Sequence, residues 1–157
     1  MRVGIGYDSH RLVSGRPLIL GGEHIPSDRG LEGHSDADAA AHALTDAILG
    51  AAGIGNIGEL FPDTDATWKD ADSLALLRAA HERVKQQGYR AVQADLTIIL
   101  ERPKLGPALP AIRRGLAEAL GLPPDGICVK PKTNEGMGFI GRGEGIAVLA
   151  VATLEPC

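Results

Sequence analysis

The chain has 157 residues, which is the usual length of one domain. Apolar residues make up 44% of it and charged residues 23%, a composition that excludes a disordered tail and a coiled coil. The 16 basic and 20 acidic residues give a net charge of −4, which argues against nucleic-acid binding by bulk charge. The two cysteines form no CxxC pair, and no apolar run reaches the length of a membrane span. No secretory signal is visible either, so we expect a cytoplasmic protein.

The first half of the chain begins with an alternating pattern that predicts a strand over residues 2–8. Gly21-Gly22 lies between two short apolar runs and predicts a tight hairpin. An alanine-rich helix follows, for which Ser35 or Asp36 is the expected N-cap.

The second half predicts a helix over 70–87, a strand over 90–101, a helix that opens at Pro107 and a strand over 127–132. One face of the strand over 90–101 is expected to carry Val92, Ala94, Leu96, Ile98 and Leu100. Residues 146–154 are almost continuously apolar, which suits a strand covered on both faces or buried in a subunit contact. This order predicts an α+β (layered α/β) fold, with a mixed sheet, helices packed on one of its faces and a single domain over 1–157.

A metal site is the first chemical hypothesis. In Asp8-Ser9-His10 the carboxylate and the imidazole are two residues apart on a strand, so they point the same way. With His42 from the next helix they would form a zinc site whose fourth position is open. Asp38 and Asp46 lie one turn on either side of His42 and are candidates for orienting its ring. Spacing alone leaves a solvated strand end and a surface histidine as the alternative.

Two loops near this helix carry further polar residues. His34 and Ser35 precede the helix, whose free N–H groups favour a phosphate, although a plain cap also explains Ser35. The segment Phe61–Asp65 places two carboxylates where turn chemistry, a polyol or a hard cation would each account for them. His24 and His81 have no partner at ligand spacing, so we expect both to be structural.

A glycine-rich loop precedes the last strand. Residues 136–141 match G-x-G-x-x-G, but a β-like run follows where a Rossmann site needs a helix, so that reading is excluded. Its Lys132, Thr133, Glu135 and Arg142 suit phosphate oxygens and magnesium. The alternative is a long hairpin with solvated charges.

Taken together, these residues resemble the 2-C-methyl-D-erythritol 2,4-cyclodiphosphate synthase family of the non-mevalonate isoprenoid pathway. The matching segments occur in order along nearly the whole chain: Gly6–His10, His34–Asp36, His42–Asp46, Leu60–Asp65, Arg102–Lys104 and Gly138–Gly145. The resemblance implies a phosphorus–oxygen lyase (cyclising). Its substrate would be 4-diphosphocytidyl-2-C-methyl-D-erythritol 2-phosphate, and intramolecular, metal-assisted phosphoryl transfer would yield the 2,4-cyclodiphosphate and CMP.

The resemblance also implies residue roles. One zinc ion per subunit would be held by Asp8, His10 and His42. Glu135 would bind Mg²⁺ or Mn²⁺ together with the substrate diphosphate, and His34 and Thr133 would be catalytic, stabilising the transition state. The positions that would bind substrate are Ser35, Asn56, Ile57, Gly58, Phe61, Asp63, Asp65, Leu100, Pro103, Lys104, Leu105, Gly106, Lys132, Asn134, Phe139 and Arg142.

Family members are homotrimers with sites between subunits, so the resemblance implies a homotrimer. It also implies an isoprenoid diphosphate as a further ligand, in a central cavity near Phe139 and Arg142. Two positions depart from the family: at position 56 the family often has aspartate where this chain has Asn56, and at position 132 it often has threonine where this chain has Lys132. The amide of Asn56 keeps an acceptor for a ribose hydroxyl. No nucleic-acid or membrane partner is expected.

Two other classes of function would use the same residues. A metal-dependent phosphohydrolase would bind the same metal but activate a water molecule. A non-enzymatic, trimeric sensor would bind isoprenoid diphosphates through the glycine loop without any chemical step.

Overall fold

The structure, a computed structural model, describes all 157 residues from Met1 to Cys157. The strands are β1 (Arg2–Ser14), β2 (Leu18–Leu20), β3 (Glu23–Ile25), β4 (Arg29–Leu31), β5 (Tyr89–Ile99), β6 (Ile127–Lys132) and β7 (Gly145–Pro156). The helices are α1 (Ala39–Ala52), α2 (Ile57–Leu60), α3 (Ser73–Gln86), α4 (Leu109–Leu120) and α5 (Gly138–Gly141). The predicted class is confirmed, because a mixed sheet and its helices form one small domain.

Five strands form the main sheet in the order β4-β1-β7-β5-β6, and β2 pairs with β3 in a separate hairpin. Only β5 and β6 run parallel, so the sheet is mixed. Strand β1 extends beyond the predicted residues 2–8, because it pairs with β7 as far as Arg11 and then with β4 through Ser14. His10 therefore lies within a paired strand and not at the end of one.

Close packing of α1 on β1 sets the position of the first helix. A β-carbon at Gly4 would lie 2.1 Å from the carbonyl oxygen of Ala47, and one at Gly6 would lie 1.8 Å from that of Ala43. Real side chains cannot approach backbone so closely, so these two glycines let the helix rest directly on the strand. The face that looks bare in the sequence is the buried face.

The N-cap of α1 is Asp38, and the prediction of Ser35 or Asp36 is wrong. Asp38 is fully buried, and its carboxylate accepts hydrogen bonds from the N–H groups of Ala41 (3.0 Å), Gly21 (2.9 Å) and Gly22 (2.8 Å). Burial raises the pKa of Asp38 to about 6, although the three N–H groups act to lower it. One carboxylate thus caps the helix and ties it to the predicted hairpin turn.

Three further boundaries differ from the predictions. Helix α3 begins at Ser73 with Asp72 as its cap, later than the expected residue 70. Pro107 lies in a 3₁₀ turn, and α4 begins after it at Leu109. In β5 a bulge at Val92 shifts the register, so Ala91 takes the buried position expected for Val92.

The core contains 37 buried residues and is aliphatic, as the scarcity of aromatic residues requires. The helices cover one face of the sheet, and the opposite face exposes an apolar patch made of Val3, Ile5, Tyr7, Leu149 and Val151. Within one chain, the expectation that β7 is covered on both faces is therefore wrong. None of the helices combines the length and the apolar character needed to cross a bilayer.

Candidate metal centre and its cavity

Asp8, His10 and His42 meet where α1 crosses β1. Asp8 Oδ2 lies 2.8 Å from His10 Nε2 and 3.4 Å from His42 Nδ1, and the two ring nitrogens are 3.3 Å apart. The three side chains are largely buried, with 25%, 15% and 12% of their surfaces exposed, in the same order. One carboxylate oxygen and two ring nitrogens thus converge on one point.

These three atoms fit a metal ion. In a tetrahedral zinc site, ligand atoms about 2.0–2.1 Å from the ion lie about 3.3–3.4 Å from one another, which two of the three separations match. Asp8 Oδ2 is also buried, and no donor is aligned to give it a hydrogen bond. A buried acceptor without a donor is costly unless a cation is bound, so the group could hold a metal ion.

The other ring nitrogens of the two histidines already have partners. His10 Nδ1 lies 2.7 Å from the carbonyl oxygen of Glu32, so Nδ1–H donates to it and Nε2 faces the centre. His42 Nε2 lies 2.8 Å from Ser73 Oγ and 3.1 Å from Ser35 Oγ, which leaves Nδ1 facing the centre.

Neither carboxylate expected to orient His42 does so. The carboxylate of Asp38 is occupied by the three N–H groups at the start of α1, and Asp46 accepts from Ile57 N–H at 2.7 Å. The spacing of one helical turn brings Asp38 and Asp46 to the same face of α1 as His42. Their carboxylates accept hydrogen bonds from backbone N–H groups and not from the His42 ring.

The electrostatics of the centre favour a charged carboxylate. Burial acts to raise the pKa of Asp8, but the neighbouring imidazoles of His10 and His42 outweigh it and the pKa is lowered. Burial acts to lower the pKa of His10, yet Asp8 outweighs it and the pKa is raised. A metal ion would take over the positive charge that the imidazoles supply here.

A cavity of about 250 Å³ opens beside the triad. The sequence-predicted residues that line it are His34, Ser35, Ile57, Gly58, Phe61 and Asp63. Asn56 caps α2 by accepting from Glu59 N–H at 3.1 Å, and Asp65 caps the turn after it, where Thr67 N–H lowers the pKa of its carboxyl. These two residues border the segment that forms the wall, and His34 Nε2 lies 3.3 Å from the Asp65 carbonyl oxygen.

The remaining predicted site residues do not line this cavity. They lie at the end of β6 and in the segments that follow β5 and β6, which include α5: Leu100, Pro103, Lys104, Leu105, Gly106, Lys132, Thr133, Asn134, Glu135, Phe139 and Arg142. Glu101 joins these two loops, because its carboxylate accepts from the N–H groups of Asn134 (2.8 Å) and Gly136 (3.2 Å). Phe139 lines a different cavity of about 220 Å³ that His10 also borders, and Arg142 pairs with Glu144 at 3.3 Å.

Three residues around the centre were missed by the sequence analysis. Trp68 and Leu76 line the cavity, with the Trp68 ring edge-on to Phe61 at a centroid distance of 5.0 Å. Trp68 is the chain's one tryptophan, and its place beside the Phe61–Asp65 segment was an available signal. Nothing local marks Ser73, which contacts His42 from 31 residues away.

Fold and centre together define a small α+β protein in which three side chains that could hold a metal ion lie beside a cavity with polar and apolar walls. A sequence model described as the YgbB family matches residues 1–155, and the chain belongs to this family. This match, together with the names of the relatives given next, confirms the family predicted from the six sequence segments.

The relatives share a common name. The 2-C-methyl-D-erythritol 2,4-cyclodiphosphate synthase of Salinibacter ruber is 57% identical over 155 residues, 99% of each chain. A solved 2C-methyl-D-erythritol-2,4-cyclodiphosphate synthase in a CDP-bound form is 47% identical, with a TM-score of 0.90, and the match covers 98% of this chain and 100% of that one. The bifunctional IspDF from Campylobacter jejuni superposes with a TM-score of 0.96 at 44% identity over 99% of this chain, which spans 42% of that longer chain.

Proposed function

We propose that residues 1–157 form one catalytic domain that converts 4-diphosphocytidyl-2-C-methyl-D-erythritol 2-phosphate into 2-C-methyl-D-erythritol 2,4-cyclodiphosphate and CMP. The names of the relatives support this substrate, and the CDP held by one of them supports a cytidine diphosphate group. The observation that carries the proposal is the convergence of Asp8, His10 and His42 on the wall of a cavity that has both polar and apolar lining residues.

In the proposed reaction an oxygen of the 2-phosphate bonds to the β-phosphorus of the same molecule. The bond from that phosphorus to the bridging oxygen breaks, and CMP leaves with the oxygen. Because the nucleophile is tethered to the electrophile, the substrate itself supplies most of the proximity, and this chain has to hold both ends in line. A phosphate is already nucleophilic near neutral pH, so this chain needs to align charges more than to move protons.

The triad is proposed to hold zinc through Asp8 Oδ2, His10 Nε2 and His42 Nδ1, with one position open. A zinc ion there would supply a Lewis acid for a β-phosphate oxygen. His34, Ser35 and Asp63 line the cavity, and we propose that the first two bind phosphate oxygens and that Asp63 accepts from erythritol hydroxyls. Ile57, Phe61 and Trp68 line the same cavity and would shield the reacting ends from water.

A second set of residues is proposed to complete the site from a neighbouring subunit. Thr133 would stabilise the transition state, Glu135 would bind Mg²⁺ or Mn²⁺ with the diphosphate, and the loop at Leu100–Gly106 would hold cytidine. Glu101 holds these two loops together, away from the triad cavity of their own chain. The exposed apolar patch on the sheet supports assembly, which we propose is a homotrimer.

The reaction is tested with the proposed substrate, zinc-loaded protein and Mg²⁺, followed by ³¹P NMR in water enriched in ¹⁸O. The expected result is a cyclic diphosphate without ¹⁸O and an equal amount of CMP. Label in the phosphorylated product would identify a phosphohydrolase instead. Binding of an isoprenoid diphosphate with no CMP release would favour a sensor.

The metal centre is tested separately by elemental analysis of the His42→Ala variant. We expect about one zinc ion per chain in the unaltered protein and almost none in the variant, because two side chains rarely retain the ion. His24→Ala is the matched control, since His24 is exposed on the β2–β3 hairpin. Full zinc occupancy in His42→Ala would refute the proposed ligand set.

A further inference from the structure

Ser73 is the residue that connects the metal centre to α3. It is the first residue of that helix and is fully buried, although serine is usually exposed. Its Oγ lies 2.8 Å from His42 Nε2, on the side of the ring that faces away from Asp8 and His10. The contact therefore touches a proposed metal ligand without reaching the position of the metal.

Asp36, which contacts Ser73, sets the direction of the hydrogen bond between Ser73 and His42. Ser73 Oγ also contacts Asp36 Oδ1, and the Ser73 N–H donates to Asp36 Oδ2 at 3.1 Å. A carboxylate oxygen can only accept, so the single hydroxyl proton of Ser73 goes to Asp36. The hydroxyl must then accept from His42, which requires the proton of the ring to be on Nε2.

That arrangement leaves the lone pair of His42 on Nδ1, the atom 3.4 Å from Asp8 Oδ2. Ser35 Oγ, at 3.1 Å from the same Nε2, accepts from Ala37 N–H and also lies 3.4 Å from Ser73 Oγ, so it supports the same ring orientation. A hydroxyl without a carboxylate behind it could accept or donate equally well, so Asp36 decides the direction.

We propose that Asp36 and Ser73 are positioning residues that fix the tautomer and ring orientation of His42 for metal binding. This inference rests on the metal site of the proposed function. It assigns to a carboxylate–serine pair the part that a carboxylate alone plays behind many metal-bound histidines.

The test measures the zinc dissociation constant by competition with a chromophoric chelator, for the full chain and three variants. Ser73→Ala and Asp36→Asn are expected to bind zinc about 10–100-fold more weakly, the usual effect of losing a partner behind a metal ligand. Asp72→Asn is the matched control: it makes the same acid-to-amide change at the adjoining N-cap of α3, and Asp72 does not contact His42. Its zinc affinity should be unchanged.

Two further measurements separate positioning from a general loss of structure. The zinc-free Asp36→Asn protein should still unfold in one cooperative thermal transition, as Asp72→Asn does, while its zinc affinity falls. In zinc-loaded protein, long-range ¹H–¹⁵N spectra should show the His42 proton on Nε2. If Ser73→Ala and Asp36→Asn bind zinc as tightly as the unaltered protein, or if the His42 proton lies on Nδ1, the inference is overturned. Absence of zinc binding in the unaltered protein would instead overturn the proposed metal site itself.

Discussion

His81 shows how a single buried polar residue is accommodated far from the centre. It is 3% exposed on α3, and its Nε2 accepts a hydrogen bond from the N–H of Ala91 at 3.1 Å. Burial lowers the pKa of His81 below its ordinary value of 6.5, and the charge of Lys85 adds to the effect. The ring is therefore neutral in the folded chain near pH 7, and its structural role agrees with its lack of ligand-spaced partners.

The pH dependence of stability should reflect this histidine. Between its folded pKa and 6.5 the unfolded chain binds the proton more readily, so the free energy of unfolding falls as the pH drops through that window. His81→Gln keeps an acceptor for Ala91 but cannot titrate, so it should lose less stability between pH 7.5 and 5.5. Urea unfolding of both metal-free proteins checks this, and parallel pH dependences would contradict it.

The packing of α1 on β1 is the contact between elements on which the centre depends. Asp8 and His10 are carried by the strand and His42 by the helix, so their separation is the separation of the two backbones. Gly4 and Gly6 reduce that separation to van der Waals contact with the helix backbone. The glycines therefore act on the metal centre without touching it.

Gly6→Ala should push α1 away from β1. We expect a loss of about 1–3 kcal/mol or more in the free energy of unfolding, since the new methyl group meets the carbonyl of Ala43. Gly50→Ala is the matched control: it lies on the exposed side of α1 with nothing within 4 Å of the added β-carbon, and it should gain about 0.5–1 kcal/mol. Of the two variants, only Gly6→Ala should bind zinc more weakly. An unchanged denaturation midpoint in Gly6→Ala would contradict the prediction, because it would mean that α1 can move away from β1 without loss of stability.

At the scale of the whole molecule, two features of a single chain have no partner within that chain: an apolar patch on the sheet and a second set of predicted site residues. Its sheet exposes neighbouring apolar side chains, with Ile5 70% and Val3 63% accessible. Its two sets of predicted site residues also occupy different places, with Glu101 holding the second set together. Contiguous apolar exposure of this kind is typical of an interaction surface. In the proposed assembly, a neighbouring chain would cover the patch and bring the two sets of residues together.

Ile5→Glu should break the proposed assembly. Light scattering of the unaltered protein is expected to give a mass near three chains, and the variant a mass near one chain with little cyclase activity. Ala79→Glu places the same charge on the exposed side of α3, on the other side of the sheet, and should leave the mass unchanged. A monomeric mass for the unaltered protein at micromolar concentration would rule out the homotrimer.

Local signals in the sequence were sufficient for most elements and for two of the three residues of the metal centre. Gly21 and Gly22 adopt the positive φ that the predicted hairpin turn requires. The alternation of a strand was also enough to place Asp8 and His10 on the same side, because period two is a property of the backbone itself. The motif set, read as a whole, further identified the family.

Tertiary structure decided whatever depends on a partner distant along the chain. Asp38 caps α1 because the hairpin backbone supplies two more donors to its carboxylate, and β1 continues past residue 8 because β7 and β4 pair with it. Ser73 reaches His42 across 31 residues, which no local pattern encodes. Periodicity and turn chemistry act between near neighbours, whereas the approach of α1 to β1, and with it the meeting of three side chains, is set by how two backbones pack.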